Sequence, residues 1–412
     1  MKKIIIAASL LGLSGGAYAT SARLEALGSS VTDNYFINDN RSIFLNAAYV
    51  NDYADSMNME WGTAGTLVAG TANTRLTVSA APKAQAGFLR KSGKYVYGVN
   101  LGNESNTGVL LRMAAEGTAG ELLQADNVVD VFIGSDTGSM KWGWNLLYTN
   151  SKLENSGTPT NDKEEKNMAT RLGMIMGDTE AFANVSLGGE SKTKATNPTE
   201  FDGSLGLHLG GAYNMGANKL VASYKSLKWD QKSNAFTSNL AVAGKYSEIV
   251  VGYGNTKDLG NGATLFTNAR YQITKVDVAT TNAASMTHTV LPLAVGFEAK
   301  ANDWLTWRGS VSHNLTGSVK QKNIMGGGGS QNVTAQFAGA LAAAFNTDTT
   351  VVTADVEKTA TIANNTAVAA GASLMFGKLT VDGMVGSTVT GTKVGVLTLS
   401  NLLTRVAMTY WF

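Results

Sequence analysis

The sequence has no cysteine and only four prolines. Without cysteine there is no disulfide framework, no thiolate metal site and no thiol nucleophile. With so little proline, and no charged or Pro-rich stretch, no linker divides the 412 residues into separate units. An excess of one charge is missing too. Setting aside Lys2 and Lys3, 31 basic residues stand against 31 acidic ones, so no global field favours nucleic acid.

Histidine is scarce. His208, His288 and His313 are the only three, and none falls at metal-ligand spacing with an acid. No Gly-x-Ser-x-Gly sits at a strand-to-helix turn. The nearest approach to a nucleophile arrangement is His313 with Ser310 or Ser312, and His288 or His208 serves no better. The run Gly326-Gly327-Gly328-Gly329 lacks the Lys-Ser/Thr ending of a phosphate loop and reads as flexible chain. The expectation is a protein that is not an enzyme and that uses no metal or cofactor.

Long hydrophobic runs are also absent, with one exception. Ile4 to Leu13 is apolar but too short to span a bilayer as a helix. Lys2-Lys3 precede it and Ala17-Tyr18-Ala19 follow, the order of a secretory signal peptide cleaved after Ala19. Every later apolar window is broken by Gly, Asn, Thr or charge. A membrane location therefore requires strands, and strands cross lipid only as a closed barrel, because backbone polar groups left without partners cannot face hydrocarbon.

The alternation that such a barrel needs is present. At the end of the chain Thr404, Val406, Met408, Tyr410 and Phe412 share one parity, and Arg405, Ala407, Thr409 and Trp411 the other. In residues 140–149, Met140, Trp142, Trp144, Leu146 and Tyr148 share a face. Lys141, Gly143, Asn145 and Thr149 lie opposite, with Leu147 as an exception. Aromatics bracketing aliphatics suit a lipid-facing band.

Hairpins read as 87–91 with 95–101, 128–135 with 140–149, 167–176 with 180–189 and 201–213 with 219–229. They continue as 236–254 with 263–276, 286–300 with 304–314 and 367–376 with 379–389. The first strand comes from 57–61 or from 74–79. Short turns alternate with longer polar stretches, notably 154–166, the asymmetry of tight periplasmic turns and longer external loops. Residues 110–124 contain some helix. The expected fold is all-β, a single closed antiparallel transmembrane barrel of about 16 strands, with 14 and 18 left open. The expected layout is a signal peptide at 1–19, a periplasmic or lumen-packed segment at 20–71, and the barrel at 72–412 with a long loop at 317–361.

The inward parity carries the polar groups: Asn145, Arg171, His208, Lys225, Arg270, Gln272, Glu298, Arg308, Asp382 and Arg405. A cation facing lipid at the bilayer centre would cost about 2–4 kcal/mol, so these side chains are expected to line the lumen. Arg171, Arg270 and Arg308 hint at a basic ladder. The same groups could instead pair with one another and fill the interior.

The whole chain resembles a Gram-negative outer-membrane β-barrel, and Tyr410-Trp411-Phe412 is similar to the terminal aromatic signal read by the barrel-assembly machinery, with Tyr410 and Phe412 as its key positions. It also looks like a major outer-membrane protein of the Bdellovibrio kind. The stretches from Ala22 to Gly28 and from Ile43 to Ala48 resemble the opening motifs of the long-chain fatty-acid transporter family, with Ala47 where that family has proline. That resemblance implies a hatch inside a fourteen-stranded barrel, with Arg23, Phe44 and Asn46 as hatch residues.

The expected location is the cell outer membrane with periplasmic termini. The expected partners are outer-membrane lipid and lipopolysaccharide, the assembly machinery, small solutes and, by analogy, two further copies in a trimer. Three functions stay open: a porin for small hydrophilic solutes or ions, a hatch-containing transporter for hydrophobic substrates, and a non-conducting structural or adhesive barrel.

Overall fold

The computed structural model describes residues 20–31, 33–62, 84–103, 122–123, 125, 127–154, 162–194, 198–232, 242–279, 284–322, 357–361, 366–390 and 405–412. A helix α1, Ser21–Ala26, opens the described chain, and two 3-10 turns follow at Asn40–Phe44 and Ala47–Asn51. The first nine strands are β1 Ser56–Gly62, β2 Gln85–Ser92, β3 Tyr95–Leu101, β4 Val129–Asp136, β5 Lys141–Leu153, β6 Lys163–Met176, β7 Thr179–Thr193, β8 Glu200–Gly203 and β9 Gly206–Met215. The rest are β10 Asn218–Lys232, β11 Val242–Gly260, β12 Ala263–Val278, β13 Ala284–Asn302, β14 Leu305–Lys322, β15 Glu357–Thr361, β16 Thr366–Phe376, β17 Leu379–Thr390 and β18 Arg405–Trp411.

The sheet is antiparallel and closed. β1 pairs with β2 on one side and with β18 on the other, Ser56 opposite Trp411. β8 and β9 both lie between β7 and β10, so they are two pieces of one wall position. β15 and β16 likewise share the place beside β14. The eighteen segments therefore make a barrel of sixteen staves, the number expected from the sequence rather than the fourteen of the fatty-acid transporter resemblance. No helix among the described residues is long and apolar enough to cross a membrane.

The alternation of the sequence is the alternation of the wall. Met57, Met59 and Trp61 are exposed on β1, while Ser56 and Glu60 are buried. On β11 Ile249, Val251 and Tyr253 face out, and Glu248 and Val250 face in. Trp144 and Tyr148 are exposed on β5, and Asn145 and Thr149 are buried. Leu147 obeys the same parity: it points inward and packs with Ala125 and Val128. Trp307 and Phe412 stand half-exposed on the outside. The exposed aromatics Tyr97, Tyr213, Trp304, Phe376, Tyr410 and Phe412 gather at the end where hairpins turn tightly, as an interfacial girdle does. Four two-residue turns there begin on Gly93, Gly177, Gly216 and Gly377, with φ between +55° and +63°. Only glycine takes that conformation without strain, and it matches the twist of the flanking strands.

Several boundaries differ from the sequence reading. The barrel starts at Ser56, inside the segment assigned to 20–71, because 57–61 supplies the first strand; residues 74–79 lie outside the described residues. The loop at 317–361 is shorter at both ends. β14 runs on to Lys322 because Val319 and Gln321 keep pointing in while Lys320 and Lys322 point out, and β15 begins at Glu357. β6 takes 163–166 from the charged loop, since Glu165 is buried against the Thr149 hydroxyl at 2.8 Å. The strand read at 201–213 is broken at Ser204-Leu205, opposite a register shift around Leu187 in β7. The signal peptide, most of 110–124 and the Gly326 to Gly329 run lie outside the described residues.

Candidate functional site

Residues 20–55 fold inside the barrel. Their ends are set by local chemistry. α1 stops at Gly28, φ +70°, where the Gly28 amide donates to the Glu25 carbonyl and the Ser29 amide to the Leu24 carbonyl, a left-handed cap. Asp39 and Asn46 start the two 3-10 turns by accepting the Arg41 amide at 2.6 Å and the Ala48 amide at 3.1 Å. Apolar side chains of this hatch then pack on the wall. Leu24, Leu27 and Ile37 meet Phe266 of β12. Tyr35 and Leu45 meet Phe182, Val221 and Val250. Ile43, Tyr49, Val50 and Tyr53 meet Leu89, Val96 and Phe132.

Charge fixes the hatch more specifically. Arg23 donates to Glu298 of β13 from Nε at 2.8 Å and from a terminal nitrogen at 3.4 Å. Arg308 of β14 donates to the same carboxylate at 2.5 Å and to Asp382 of β17 at 2.7 Å. Ser373 bridges Arg308 and Asp382, and Thr20 reaches Asp382 at 3.4 Å. Glu60 of β1 accepts the Ser21 amide at 3.2 Å and its hydroxyl at 2.5 Å, placing a carboxylate at the start of α1. Arg405 of β18 pairs with Glu25 at 3.1 Å.

A second cluster lies across the lumen. Lys225 of β10 contacts Asp33 at 2.9 Å and Glu248 of β11 at 3.7 Å. The Tyr35 hydroxyl bonds Ser223 at 2.8 Å and His208 of β9 at 3.3 Å. A third set joins Arg41 to Gln85 at 2.6 Å and to Asn103 at 2.5 Å, with the guanidinium over Phe44 at 4.5 Å. Phe44 also meets Phe132 edge-on at 5.8 Å and lies 5.7 Å from the Arg171 guanidinium.

The wall makes room where the hatch presses closest. Gly134, Gly143 and Gly173 are neighbours across β4, β5 and β6. A Cβ on Gly143 would run into the Ala47 carbonyl, one on Gly173 into the Asn46 side chain and the Ala48 amide, and one on Gly134 into Val50. The Asn51 side-chain Nδ2 donates to the Trp142 carbonyl at 3.0 Å, and the Asn184 Nδ2 of β7 to the Leu45 carbonyl at 3.0 Å. Between hatch and wall at Tyr35, Leu45 and Phe182 the free volume is only about 20 Å³. Leu45 packs against Phe182, Val221 and Val250, and Phe44 against Phe132.

Burial pushes the Asp39 carboxyl up to about 7, against the nearby Arg23 guanidinium and the bonded Arg41 amide. Burial acts on Asp33 too, but Lys225 and His208 beside it bring its carboxyl down to about 2. Ionised Asp33 is thus a firm anchor across the working pH range. Ionised Asp39 weakens the seated hatch as pH rises from about 4, the ordinary carboxylate value, through about 7.

The lumen residues inferred from parity fall into these groups. Glu298 meets Arg23, with Arg308 and Asp382 linked behind it; Lys225 meets Asp33, and His208 meets Asp33 and Tyr35; Arg405 meets Glu25. Asn145 and Arg171 lie together with Asp130, which Arg171 contacts at 2.5 Å. Gln272 donates to Glu248 at 2.8 Å. Arg270 is half-buried on β12, within electrostatic reach of Asp33. The basic ladder of Arg171, Arg270 and Arg308 is not a row of free cations, because Arg171 and Arg308 are each held by buried carboxylates. His313 bonds Thr366 at 2.8 Å.

Asp33, Asp39, Arg41, Glu60, Asp130 and the glycine row escaped the sequence reading. Strand parity carried a signal for Glu60, beside Met59 and Trp61, and for Asp130, between Val129 and Val131. The hatch acids carry none, since 29–40 has no period.

No protein-family model matches the chain, and no curated protein matches it. Among solved structures it is similar to the Pseudomonas putida toluene transporter TodX, at 10% identity over 96% of this chain and 99% of that one, with a TM-score of 0.36. An anion-selective porin from Comamonas acidovorans gives 11% identity over 87% and 97%, TM-score 0.33. The FrpB iron transporter from Neisseria meningitidis gives 12% over 86% and 64%, TM-score 0.36. Likenesses this distant single out neither the fatty-acid transporters nor the Bdellovibrio proteins, and they carry no argument about substrate. Its own closed ladder, apolar outer band and aromatic girdle make the chain a closed antiparallel β-barrel that resembles Gram-negative outer-membrane proteins.

Proposed function

We propose that the protein is an outer-membrane channel for small hydrophilic solutes or ions, with passage governed by the hatch of residues 20–55. The observation behind this reading is the hatch's attachment to opposite walls through ionic and hydrogen-bonded contacts rather than through apolar packing alone. Polar anchors are solvated once the hatch leaves the wall, so such a plug can open as a local unit while the barrel holds. A sixteen-stranded barrel without a plug is wide enough for an aqueous channel. Inward groups farther from the tight turns are mixed: Glu165, Gln231, Glu248 and Thr274 are polar, and Trp229, Tyr246, Val276 and Met286 are not. Tight turns, the start of β1 and the end of β18 lie at one end of the barrel, and in this reading that end faces the periplasm. No catalytic role is proposed.

Gly143→Val tests the reading. The added side chain displaces Ala47 and Ala48 from β5 while leaving the outer band untouched. In planar bilayers the variant is expected to spend markedly more time open than the wild type, with unchanged heat-modifiable migration of the folded barrel. An unchanged conductance record, with the variant folded, would count against hatch control.

A further inference from the structure

Lys228 of β10 and Lys245 of β11 stand directly opposite each other in the ladder. Both are exposed and each has buried neighbours, Trp229 beside Lys228 and Gly244 and Tyr246 beside Lys245. They therefore point out of the barrel, not into it. Like charges directly across a strand pair repel. The acid nearest in register, Asp277 opposite Lys245, is already engaged by Lys275 at 2.9 Å.

Their height is informative. Lys228 and Lys245 lie eight residues along their strands from the exposed pair Leu220 and Tyr253. At about 3.3 Å per residue and a tilt of about 40°, that is a climb of about 20 Å, close to the upper edge of a band about 25 Å tall. The strand ends away from the tight turns are at this level. Here a concavity of about 510 Å³ is lined by three lysines, Lys228, Lys245 and Lys322, against two acids, Asp230 and Asp277, of which Asp277 is paired with Lys275.

We propose that this concavity binds the phosphate-bearing headgroup of an outer-leaflet glycolipid, with Lys228 and Lys245 sharing one phosphate. The phosphate turns a repulsive pair into two charge-assisted hydrogen bonds. The exposed apolar side chains directly below, Leu220, Tyr224, Ile249 and Val251, receive the acyl chains. Free phosphate has no chains to place there. Asp230, opposite Asp202 one row farther from the band, bounds the site on that side.

The test uses the full-length protein in phosphatidylcholine nanodiscs doped with diphosphoryl lipid A, with retained lipid counted by native mass spectrometry. Lys228→Gln with Lys245→Gln is expected to lower apparent affinity at least about tenfold. Lys91→Gln with Lys257→Gln, exposed lysines near the tight turns, should leave it unchanged, and Lys228→Arg with Lys245→Arg should retain it. Heat-modifiable migration verifies folding of each variant. Equal retention by wild type and the Gln pair would overturn the proposal. Displacement of lipid A by inorganic phosphate at similar concentration would also overturn it, in favour of a free-anion site. Conductance is not read, so the result is independent of hatch gating.

Discussion

Removing residues 21–50 from the refolded protein should raise its single-channel conductance at least about tenfold, since a sixteen-stranded barrel without a plug leaves an aqueous channel. The barrel itself should survive. Its closure rests on the ladders of β1 with β2 and β18, which begin at Ser56, beyond the deletion. What the deletion exposes is part polar, Glu298, Arg308 and Asp382 on one side and His208, Lys225 and Glu248 on the other, and part apolar, with Leu89, Phe132, Phe182, Val250 and Phe266 losing their hatch cover. Several of these lose a partner, notably Glu298 without Arg23 and Lys225 without Asp33, but water takes the vacated space and solvates them. A modest loss of thermal resistance with a large gain in conductance is the expected combination. A deletion variant that folds and stays closed would mean that something other than the hatch occludes the lumen.

Arg308→Ala should cost the intact protein about 3–5 kcal/mol of unfolding free energy, the usual penalty for removing one partner of a buried ionic set. The Arg308 side chain is 1% exposed and satisfies two carboxylates at once. Truncation leaves Asp382, itself fully buried, to the Thr20 and Ser373 hydroxyls with Arg23 only within electrostatic reach, and leaves Glu298 to Arg23 alone. Urea titration followed by tryptophan emission and heat-modifiable migration measures the loss. Adding Glu298→Gln and Asp382→Asn should recover much of it, because the orphaned charges go with their partner. Lys141→Ala supplies the contrast. Its pair with Asp52 is one-third exposed on both sides, and exposed pairs contribute about 0–1 kcal/mol. Equal effects from Arg308→Ala and Lys141→Ala would remove the distinction between anchoring and ornamental ion pairs.

The wall was legible because its rule is local. Period two in 140–149 and in 404–412 fixes which side chains face lipid, and even Leu147, which looked like a violation, obeys the rule from inside. Parity alone therefore placed Asn145, Glu298, Arg308 and Asp382 in the lumen. The break at Ser204-Leu205 was hidden because the alternation on either side of it continues, and a register shift leaves no mark in composition. The hatch was illegible for another reason. Thr20 meets Asp382 across 362 positions and Arg23 meets Glu298 across 275. Nothing in the neighbourhood of Arg23 says which acid it will find. Gly143 and Gly173 show the same limit: glycine in a strand signals close approach, but not by what.

Control of passage by the hatch can be measured most directly by locking it in place. The chain has no cysteine of its own, and a Cβ built on Gly371 of β16 lies 2.7 Å from the Ala26 Cβ and 2.7 Å from the Gly383 carbonyl of β17, so a disulfide there needs a small shift of α1 and of β17. In Ala26→Cys with Gly371→Cys, oxidation should suppress channel openings and reduction should restore the wild-type record in the same bilayer. If openings persist unchanged after the cross-link is verified by mass, solutes pass without the hatch moving, and it is a fixed filler rather than a gate.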